Sequence, residues 1–289
     1  MKLIATDLDG TLLNENHMIS SENAKAIEKA QELGIQIVVA TGRSYSSARI
    51  PMEKMGLTCP IICLNGAQVY MSNKELIRNV PLSKEVALQI HNACQKQGIY
   101  FELFTNKGVF SDSRENFIQV MVDIMTSANP DLSKEDVRSR AEMRFQDERV
   151  EIVEDYNAIF QQEDLDIYKF LAFSVKDEKL ESVKADLIDD SEVAITSSGF
   201  DNLEFNHPKA QKGIALEFLS NKLSIDMKDV MAIGDNYNDV SMLKAAGRGV
   251  AMGNADDEIK QLCDVSTKSN KEDGVAYAIE KMLKDRQMI

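Results

Sequence analysis

The sequence predicts an α/β protein whose Rossmann-like core, built on a parallel sheet, carries an inserted α+β domain. Short apolar runs alternate with helix-like stretches at both ends of the chain, and this alternation is typical of parallel strands joined by crossover helices. From about residue 83 to residue 207 the polar fraction rises and the alternation stops. The chain has 289 residues, more than one hydrophobic core usually requires, so two domains are expected.

Three strands are predicted near the N-terminus, because three short runs are apolar almost throughout, as strands buried on both faces are. These strands are Lys2–Thr6, Ile35–Ala40 and Pro60–Leu64. After the third strand, Asn65-Gly66 predicts a hairpin turn into a further strand, Gln68–Met71.

Two helices are predicted between these strands. Ser21–Leu33 begins after Ser20 or the next serine as its N-cap and ends at Gly34. Ser44–Met55 is also helix-like, but Pro51 lacks a backbone donor and is expected to shorten or kink this helix.

The C-terminal part repeats the alternation, which extends the same parallel sheet. Its predicted helices and strands are, in chain order, Gly213–Lys222, Val230–Ile233, Asp239–Ala246, Gly249–Ala251 and Gly274–Leu283. In the middle region, Val193–Ser198 and Leu203–Asn206 predict a hairpin, and Pro81 and Pro208 mark linkers. We therefore expect a core domain formed by residues 1–82 and 208–289, and an inserted domain formed by residues 83–207.

The net charge of −14 argues against a general nucleic-acid binder and against a protein of anionic membrane surfaces. The N-terminus has no basic leader with an apolar segment, and no apolar run approaches the length of a membrane span. The four cysteines lack a zinc-site spacing and are expected to be reduced thiols. A cytoplasmic protein without a nucleic-acid or membrane partner is therefore expected, and the pattern gives no oligomeric state.

Short, mostly polar stretches follow several predicted strands, at the edge of a parallel sheet where ligands bind. They are Asp7, Leu8 and Asp9 after the first strand, Thr41, Gly42 and Arg43 after the second, Asn65 after the third, and Asp235, Asn238 and Asp239 after the strand at 230–233. Lys212 lies just before the helix that precedes this last strand. Three carboxylates, a hydroxyl and a lysine are therefore expected to converge on one crevice.

Each of these groups has a chemical use. Carboxylates suit Mg²⁺, which proteins bind through one or two carboxylates, waters and a phosphate. Thr41 and Gly42, expected at a helix start, would present backbone N–H groups to a phosphate. An aspartate can attack phosphorus, a second carboxylate can act as acid and base, and Lys212 can neutralise a phosphate oxygen. Each motif alone is weak evidence; their joint order favours a phosphoryl-transfer site.

The same residues resemble the four motifs of the haloacid dehalogenase superfamily, over the whole chain. The resembling stretches are Asp7–Leu13, Thr41–Arg43, Lys212–Leu216 and Gly234–Leu243, in that order. Gly249–Ala255 and Asn65–Ala67 are similar to one branch, the Cof-type phosphatases, which carry a large C2-type cap between the second and third motifs. The stretch Asn206–Gln211 departs from the family pattern, and Lys209 is a rival to Lys212, although only Lys212 is followed by Gly-x-Ala-Leu.

The resemblance implies a Mg²⁺-dependent phosphatase that works through an aspartyl-phosphate. It implies that Asp7 is the nucleophile, that Asp9 is the acid and base, and that Asp235 completes the metal ligands with the Asp7 side chain and the Asp9 backbone carbonyl. It assigns the phosphoryl group to Leu8, Thr41, Gly42, Lys212 and Asn238. Asp239 would orient Lys212 or metal-bound waters, and Arg43 and Asn65 would face the substrate or the cap.

The implied substrate is a small phosphorylated metabolite chosen by the cap. The family offers sugar phosphates, nucleotides such as flavin mononucleotide, pyridoxal phosphate and the phosphorylated ribitylamino-uracil. Three alternatives stay open: a non-catalytic phospho-receiver, a regulatory protein that keeps the site without the activity, and a phosphomutase. A receiver is shorter and has no cap, and mutases of this superfamily usually carry smaller helical caps.

Overall fold

The computed structural model describes residues 1–128, 133–197 and 201–285. Its chain divides into two compact units, Met1–Asn79 with Lys209–Ile289, and Val80–Pro208. The strands of the first unit are β1 (Leu3–Thr6), β2 (Gln36–Ala40), β3 (Ile61–Cys63), β4 (Gln68–Tyr70), β5 (Leu76–Asn79), β12 (Val230–Gly234), β13 (Arg248–Ala251) and β14 (Val265–Ser266). The strands of the second unit are β6 (Tyr100–Thr105), β7 (Gly108–Ser111), β8 (Val150–Ile152), β9 (Ile167–Phe173), β10 (Ala194–Thr196) and β11 (Asn202–Asn206).

The helices follow the same division. Those of the first unit are α1 (Ser21–Glu32), α2 (Tyr45–Lys54), α8 (Lys212–Lys222), α9 (Val240–Ala245), α10 (Asp257–Gln261) and α11 (Gly274–Asp285). Those of the second unit are α3 (Lys84–Gln97), α4 (Arg114–Ala128), α5 (Lys134–Glu148), α6 (Tyr156–Phe160) and α7 (Asp177–Leu187).

The first unit contains an eight-stranded sheet in the order β14-β13-β12-β1-β2-β3-β4-β5. Strands β14 to β3 pair in parallel, and only the β3–β4 and β4–β5 pairs at one side are antiparallel. The central strands β1 and β12 are fully buried, as their apolar sequences predict for parallel strands. The predicted α/β fold with a parallel-sheet core is confirmed.

Of the two serines predicted as N-cap of the first helix, Ser20 caps it, and its side chain accepts from the backbone N–H of Asn23. Pro51 does not end α2 early, because it lies inside a helix that continues to Lys54, and the expected alternative of a kink stays a prediction. Pro51 is buried on the packed face of α2, so packing compensates for the hydrogen bond that proline cannot donate.

Other differences from the expected elements are local. The predicted Asn65-Gly66 turn does join the antiparallel strands β3 and β4, but it is one turn of 3₁₀ helix with Leu64 and Asn65 at positive φ. The pattern missed β5, α10 and β14, which have four, five and two residues. Elements this short hold too few residues to show a hydrophobic period.

The second unit contains a six-stranded sheet in the order β10-β11-β9-β6-β7-β8. All of its pairs are antiparallel except β7–β8. The hairpin predicted around residue 200 is present as β10 and β11, and residues 198–200 of its turn lie outside the described residues. One face of this sheet packs with α3 and α7 in a separate apolar cluster, whose members include Ile90, Phe101, Phe170 and Phe205.

His91 is buried in the core of the second unit, where its Nδ1 lies 3.3 Å from Asn92 Oδ1. All four cysteines lie in the described part of the chain and none forms a disulfide. Within residues 1–128, 133–197 and 201–285, every helix is too short or too polar to cross a membrane.

Candidate active site

The candidate site lies in the first unit, at the carboxyl ends of three neighbouring parallel strands. In this sheet β1 pairs with β12 on one side and with β2 on the other. Asp7 follows β1, Thr41 follows β2, and Asp235 follows β12 directly. The topology therefore brings together three loops that are far apart in sequence, at the edge where open α/β sheets bind ligands.

Lys212, the first residue of α8, joins two of the carboxylates. Its Nζ donates to Asp7 Oδ1 at 2.7 Å and to Asp239 Oδ1 at 2.6 Å. The Lys212 side chain is completely buried. Burial alone would lower the pKa of Lys212, but Asp239 and Asp7 outweigh it and raise that pKa. The two carboxylates therefore favour the charged form of Lys212 at the centre of the site.

Asp239 is completely buried and uses both of its carboxylate oxygens. Oδ1 accepts from Lys212, and Oδ2 accepts from the backbone N–H groups of Asp235 and Asn236, each at 3.0 Å. Asp239 thus fixes the lysine and the loop that carries Asp235 at the same time. The contact places Asp239 beside Lys212, and its expected role in orienting Lys212 or metal-bound waters stays a prediction.

Close packing of two helices sets the position of Lys212. Gly213 donates its backbone N–H to Ser241 Oγ at 3.0 Å, and a Cβ added at Gly213 would overlap the backbone carbonyl of Ser241. Only glycine allows α8 to approach the start of α9 this closely. The rival Lys209 is exposed, whereas Lys212 is buried beside the carboxylates.

Asp235 is held by groups from the loop after β1. Thr11 donates its hydroxyl to Asp235 Oδ1 at 2.7 Å, and Asn254 donates to the carbonyl of Gly10 at 2.9 Å. Gly10 has a φ of +76°, and a Cβ there would overlap the Asp235 carboxylate. Burial and the nearby Asp239 raise the pKa of Asp235 to about 7.

The carboxylates fit a divalent cation. Oxygen atoms of Asp7, Asp235 and Asp239 lie within 4.8 Å of one another. Burial raises the pKa of Asp7 well above its usual value against the opposing effect of Lys212, and the other aspartates raise it further. Three carboxylates with one lysine leave an excess of negative charge that a bound cation would offset.

The Asp9 side chain is not part of this cluster. Its carboxylate is half exposed and pairs with Arg43, from Arg43 Nε to Asp9 Oδ2 at 2.7 Å and from Arg43 Nη2 to Asp9 Oδ1 at 2.5 Å. Burial would raise the pKa of Asp9, but its hydrogen bonds and charge pairing with Arg43 lower it. The Asp9 side chain therefore lies outside the group of carboxylates that could hold a metal ion.

Thr41 and Gly42 lie in a loop rather than at a helix start, because α2 begins at Tyr45 with Ser44 as its N-cap. Thr41 is buried, and its Oγ1 accepts from the backbone N–H of Arg43 at 3.2 Å. The expectation of a helix N-terminus at these residues was therefore wrong by three to four positions. Thr41 and Gly42 instead belong to the short loop that joins β2 to α2.

The remaining predicted residues surround the same strand ends. Asn238 donates to Asn65 Oδ1 at 3.5 Å, and Asn65 donates its backbone N–H to Thr41 O at 3.0 Å. Leu8 is buried, and its carbonyl accepts from the backbone N–H of Leu13 at 2.8 Å. The structure therefore brings the residues after β1, β2, β3 and β12 together, as the sequence pattern predicts.

Sequence reasoning gave no role to three residues that support the site. Thr11 and Asn254 hold Asp235 and the loop beside it, and Ser241 accepts from the first turn of α8. All three lie within the stretches that resemble family motifs. The signal that could have identified these three residues was that each is polar and lies within a motif stretch.

The chain is similar to several known proteins. Residues 4–279 match a family model described as haloacid dehalogenase-like hydrolase. "Phosphatase YwpJ" of Bacillus subtilis is 35% identical over 285 residues, which are 98% of this chain and 100% of that protein. "5-amino-6-(5-phospho-D-ribitylamino)uracil phosphatase YwtE" of the same organism is 36% identical over 284 residues, 98% of each chain. A solved haloacid dehalogenase-like hydrolase from B. subtilis has a TM-score of 0.90 at 35% identity, covering 98% of this chain and 100% of that chain.

Proposed function

The chain belongs to the haloacid dehalogenase-like hydrolases and is a phosphatase, and we propose that it hydrolyses a small phosphorylated metabolite with Mg²⁺ through a phosphoryl group on Asp7. One observation carries the proposal. Asp7 lies 2.7 Å from a completely buried lysine that is itself anchored by Asp239. A nucleophilic carboxylate needs this arrangement, because the phosphate it attacks is also negatively charged.

In the first step, an oxygen of Asp7 attacks phosphorus, and the bond between phosphorus and the leaving oxygen breaks. Asp9 donates a proton to that oxygen as the alcohol leaves. In the second step, Asp9 accepts a proton from water, whose oxygen attacks phosphorus and releases phosphate from Asp7. Lys212 neutralises charge on the phosphoryl oxygens throughout, because it stays protonated.

The phosphoryl group would be held by a ring of polar groups around Asp7. The backbone of Leu8 and of Gly42, the hydroxyl of Thr41 and the amide of Asn238 supply this ring together with Lys212. Asn65 and Asn238 contact one another, which supports a place for Asn65 beside the substrate. These donors give the local positive character that a protein of net charge −14 needs to bind an anion.

Asp7 and Asp235 would hold Mg²⁺ through their carboxylates, and Asp9 through its backbone carbonyl. Asp239 would not bind the metal directly, because Lys212 and two backbone N–H groups already occupy its oxygens. It would instead hold Lys212 and the loop that carries Asp235 in place. When bound, Mg²⁺ supplies positive charge that stabilises the transferred phosphoryl group.

For the substrate, the phosphorylated ribitylamino-uracil is the first candidate. The relative YwtE carries the name of that phosphatase and is 36% identical to this chain. We assign substrate choice to the second unit, as a cap, because the residues of the first unit account for the chemistry alone. Sugar phosphates, flavin mononucleotide and pyridoxal phosphate are the other candidates.

The test is phosphate release from a panel of these four kinds of ester, with Mg²⁺ and then with EDTA. We expect release that requires Mg²⁺ and is absent in Asp7→Asn, with the ribitylamino-uracil ester among the best substrates. Release that persists in EDTA would remove the metal from the proposal. Transfer to a second sugar hydroxyl without free phosphate would favour a phosphomutase. A stable phosphoprotein with no turnover would favour a receiver or regulatory protein.

A further inference from the structure

The Arg43 guanidinium forms hydrogen bonds to both oxygens of the Asp9 carboxylate. The guanidinium Nε donates to Oδ2 at 2.7 Å and Nη2 donates to Oδ1 at 2.5 Å. This is the two-point arrangement in which a planar guanidinium fixes the plane and direction of a carboxylate. Asp9 therefore has one preferred orientation, although half of its side chain surface is exposed to solvent.

Arg43 is the fixed partner of this pair. Its backbone N–H donates to Thr41 Oγ1 at 3.2 Å, and its carbonyl accepts from the backbone N–H of Leu64 at 3.0 Å. Its side chain is 20% exposed, against 49% for Asp9. The loop after β2 thus holds Arg43, and Arg43 holds Asp9.

A second contact of Asp9, with the side chain of His17, is weaker. His17 Nδ1 lies 4.0 Å from Asp9 Oδ1, and the His17 side chain is 63% exposed. A single long contact from an exposed ring does not define the direction of a carboxylate. Without Arg43, Asp9 would be a half-exposed side chain with several available rotamers.

We propose that Arg43 is a positioning residue that orients Asp9 for the water-dependent second half of the reaction. This inference rests on the proposed function, in which Asp9 takes a proton from water as water attacks the phosphoryl group on Asp7. The phosphorus–Asp7 bond breaks, phosphate leaves, and the proton stays on Asp9. In this proposal Arg43 acts through Asp9 and not directly on the phosphorus or the water.

The contact favours an effect on the second half-reaction. A guanidinium that binds both oxygens of a carboxylate fixes its plane, so the remaining lone pairs of Asp9 keep a set direction towards a water molecule. The first half-reaction needs no proton when the leaving group is a nitrophenolate, because this anion is stable in water. With p-nitrophenyl phosphate as the probe, loss of Arg43 should therefore slow release of phosphate from Asp7 but not its transfer to Asp7.

The experiment compares full-length wild type, Arg43→Gln and Arg43→Lys with p-nitrophenyl phosphate and Mg²⁺ in rapid-quench assays. For Arg43→Gln we expect an initial nitrophenolate burst within about 3-fold of wild type and a steady-state rate lower by about 30-fold, since acid–base catalysis contributes about 100-fold or more. Acid-stable phosphoprotein should accumulate. The steady-state rate of Arg43→Lys should lie between the rates of wild type and Arg43→Gln, because an ammonium keeps the charge but not the two-point geometry.

Arg49→Gln is the matched control, because Arg49 lies on α2 and pairs with Glu53 outside the site. Its burst and steady-state rates should equal those of wild type. The double variant Asp9→Asn with Arg43→Gln should be no slower than Asp9→Asn alone, since Arg43 acts through Asp9.

Three results would overturn the inference while leaving the proposed function intact. The first is an Arg43→Gln steady-state rate within about 2-fold of wild type, and the second is additive losses in the double variant. The third is a burst that falls together with the steady-state rate in both Arg43 variants, which would mean a structural role. By contrast, a wild type without Mg²⁺-dependent turnover, or an Asp7→Asn variant that still forms phosphoprotein, would reject the proposed function itself.

Discussion

At the scale of single residues, a chain of buried charges defines the site. Lys212 and Asp239 are completely buried and Asp7 is nearly so, and each forms ion-pair contacts of 2.6–2.7 Å. Burial of such groups costs several kcal/mol each unless they are paired. Pairing a lysine with two carboxylates repays part of this cost, and Asp235 adds a further negative charge that is not balanced within the cluster.

Replacement of Asp7 by Asn should abolish turnover, because an amide is a poor nucleophile towards phosphorus. The fold should persist, since Asn keeps an oxygen that accepts from Lys212 in place of Asp7 Oδ1. The measurement is phosphate release together with circular dichroism and a thermal midpoint. Substantial phosphatase activity in this variant would reject Asp7 as the nucleophile.

Replacement of Asp239 by Asn should impair both stability and catalysis. Asp239 accepts hydrogen bonds from three N–H donors, and an amide would turn its own NH₂ group towards one of them. We expect a loss of about 3 kcal/mol in unfolding free energy, as for broken buried ion pairs, and a kcat lower by at least about 10-fold.

Urea unfolding and steady-state kinetics test this expectation. Asp257→Asn is the control, because that side chain is 91% exposed and its lysine contact is long, at 3.7 Å. It should match wild type in both measurements. An Asp239→Asn variant with wild-type kcat would show that Lys212 needs only Asp7 for its position.

At the scale of elements, two helices decide where the lysine lies. Helix α8 begins at Lys212 itself, and the glycine beside it permits contact with the backbone at the start of α9. The local sequence pattern predicted both helices, but it did not predict the short distance between them. The 3₁₀ turn Tyr237–Asp239 before α9 then directs Asp239 towards α8.

Replacement of Gly213 by Ala should therefore separate α8 from α9. The added methyl group would overlap the carbonyl of Ser241, and relief of such overpacking typically costs about 1–3 kcal/mol. Lys212 would move with the helix, so kcat should fall although no charged group is changed. Thermal unfolding and kcat are the measurements, and Glu217→Ala on the exposed side of α8 is the control. Unchanged values for Gly213→Ala would contradict the packing argument.

At the scale of the whole molecule, the chain forms two units with separate apolar cores. The core of the second unit contains His91, whose ring packs against Phe101, Tyr156 and Phe160 with centroids 5.3–5.7 Å away. Its Nε2 is buried without a hydrogen-bond partner among the described residues. Burial lowers the pKa of His91, so the folded unit holds this ring neutral.

His91 should make the protein less stable in acid. Below the unfolded-state pKa of about 6.5 the unfolded chain binds a proton that the folded unit does not, so stability falls as pH falls, by at most about 1.4 kcal/mol per pH unit. His91→Leu should remove this part of the dependence. The urea midpoint between pH 5 and pH 7.5 is the measurement.

The control for this measurement is His17→Asn, because His17 is exposed and Asn tolerates its positive φ. This variant should keep the acid dependence of wild type. Equal dependence in wild type and His91→Leu would contradict a neutral buried ring.

Prediction from sequence succeeded where a signal is local or carried by a motif. The apolar runs of β1, β2 and β12 predicted buried parallel strands, and Ser20 predicted the start of α1. It expected Pro51 to shorten or kink α2, and the helix continues past Pro51 to Lys54, where packing of the buried proline compensates for the missing donor. Sequence analysis also could not identify Asp9 as the partner of Arg43, since Asp9 lies 34 positions away and only the folded loops bring the two side chains together.

The sequence by itself determined the α/β class, the family and the residue types of the site, because periodicity and motif order are properties of the chain. Tertiary structure decided which of those residues touch. It buried Lys212 between Asp7 and Asp239, turned the Asp9 side chain towards Arg43, and left Lys209 exposed. The physical reason is that burial and charge pairing depend on distances between segments that are remote in sequence, and only packing of the sheet and helices sets those distances.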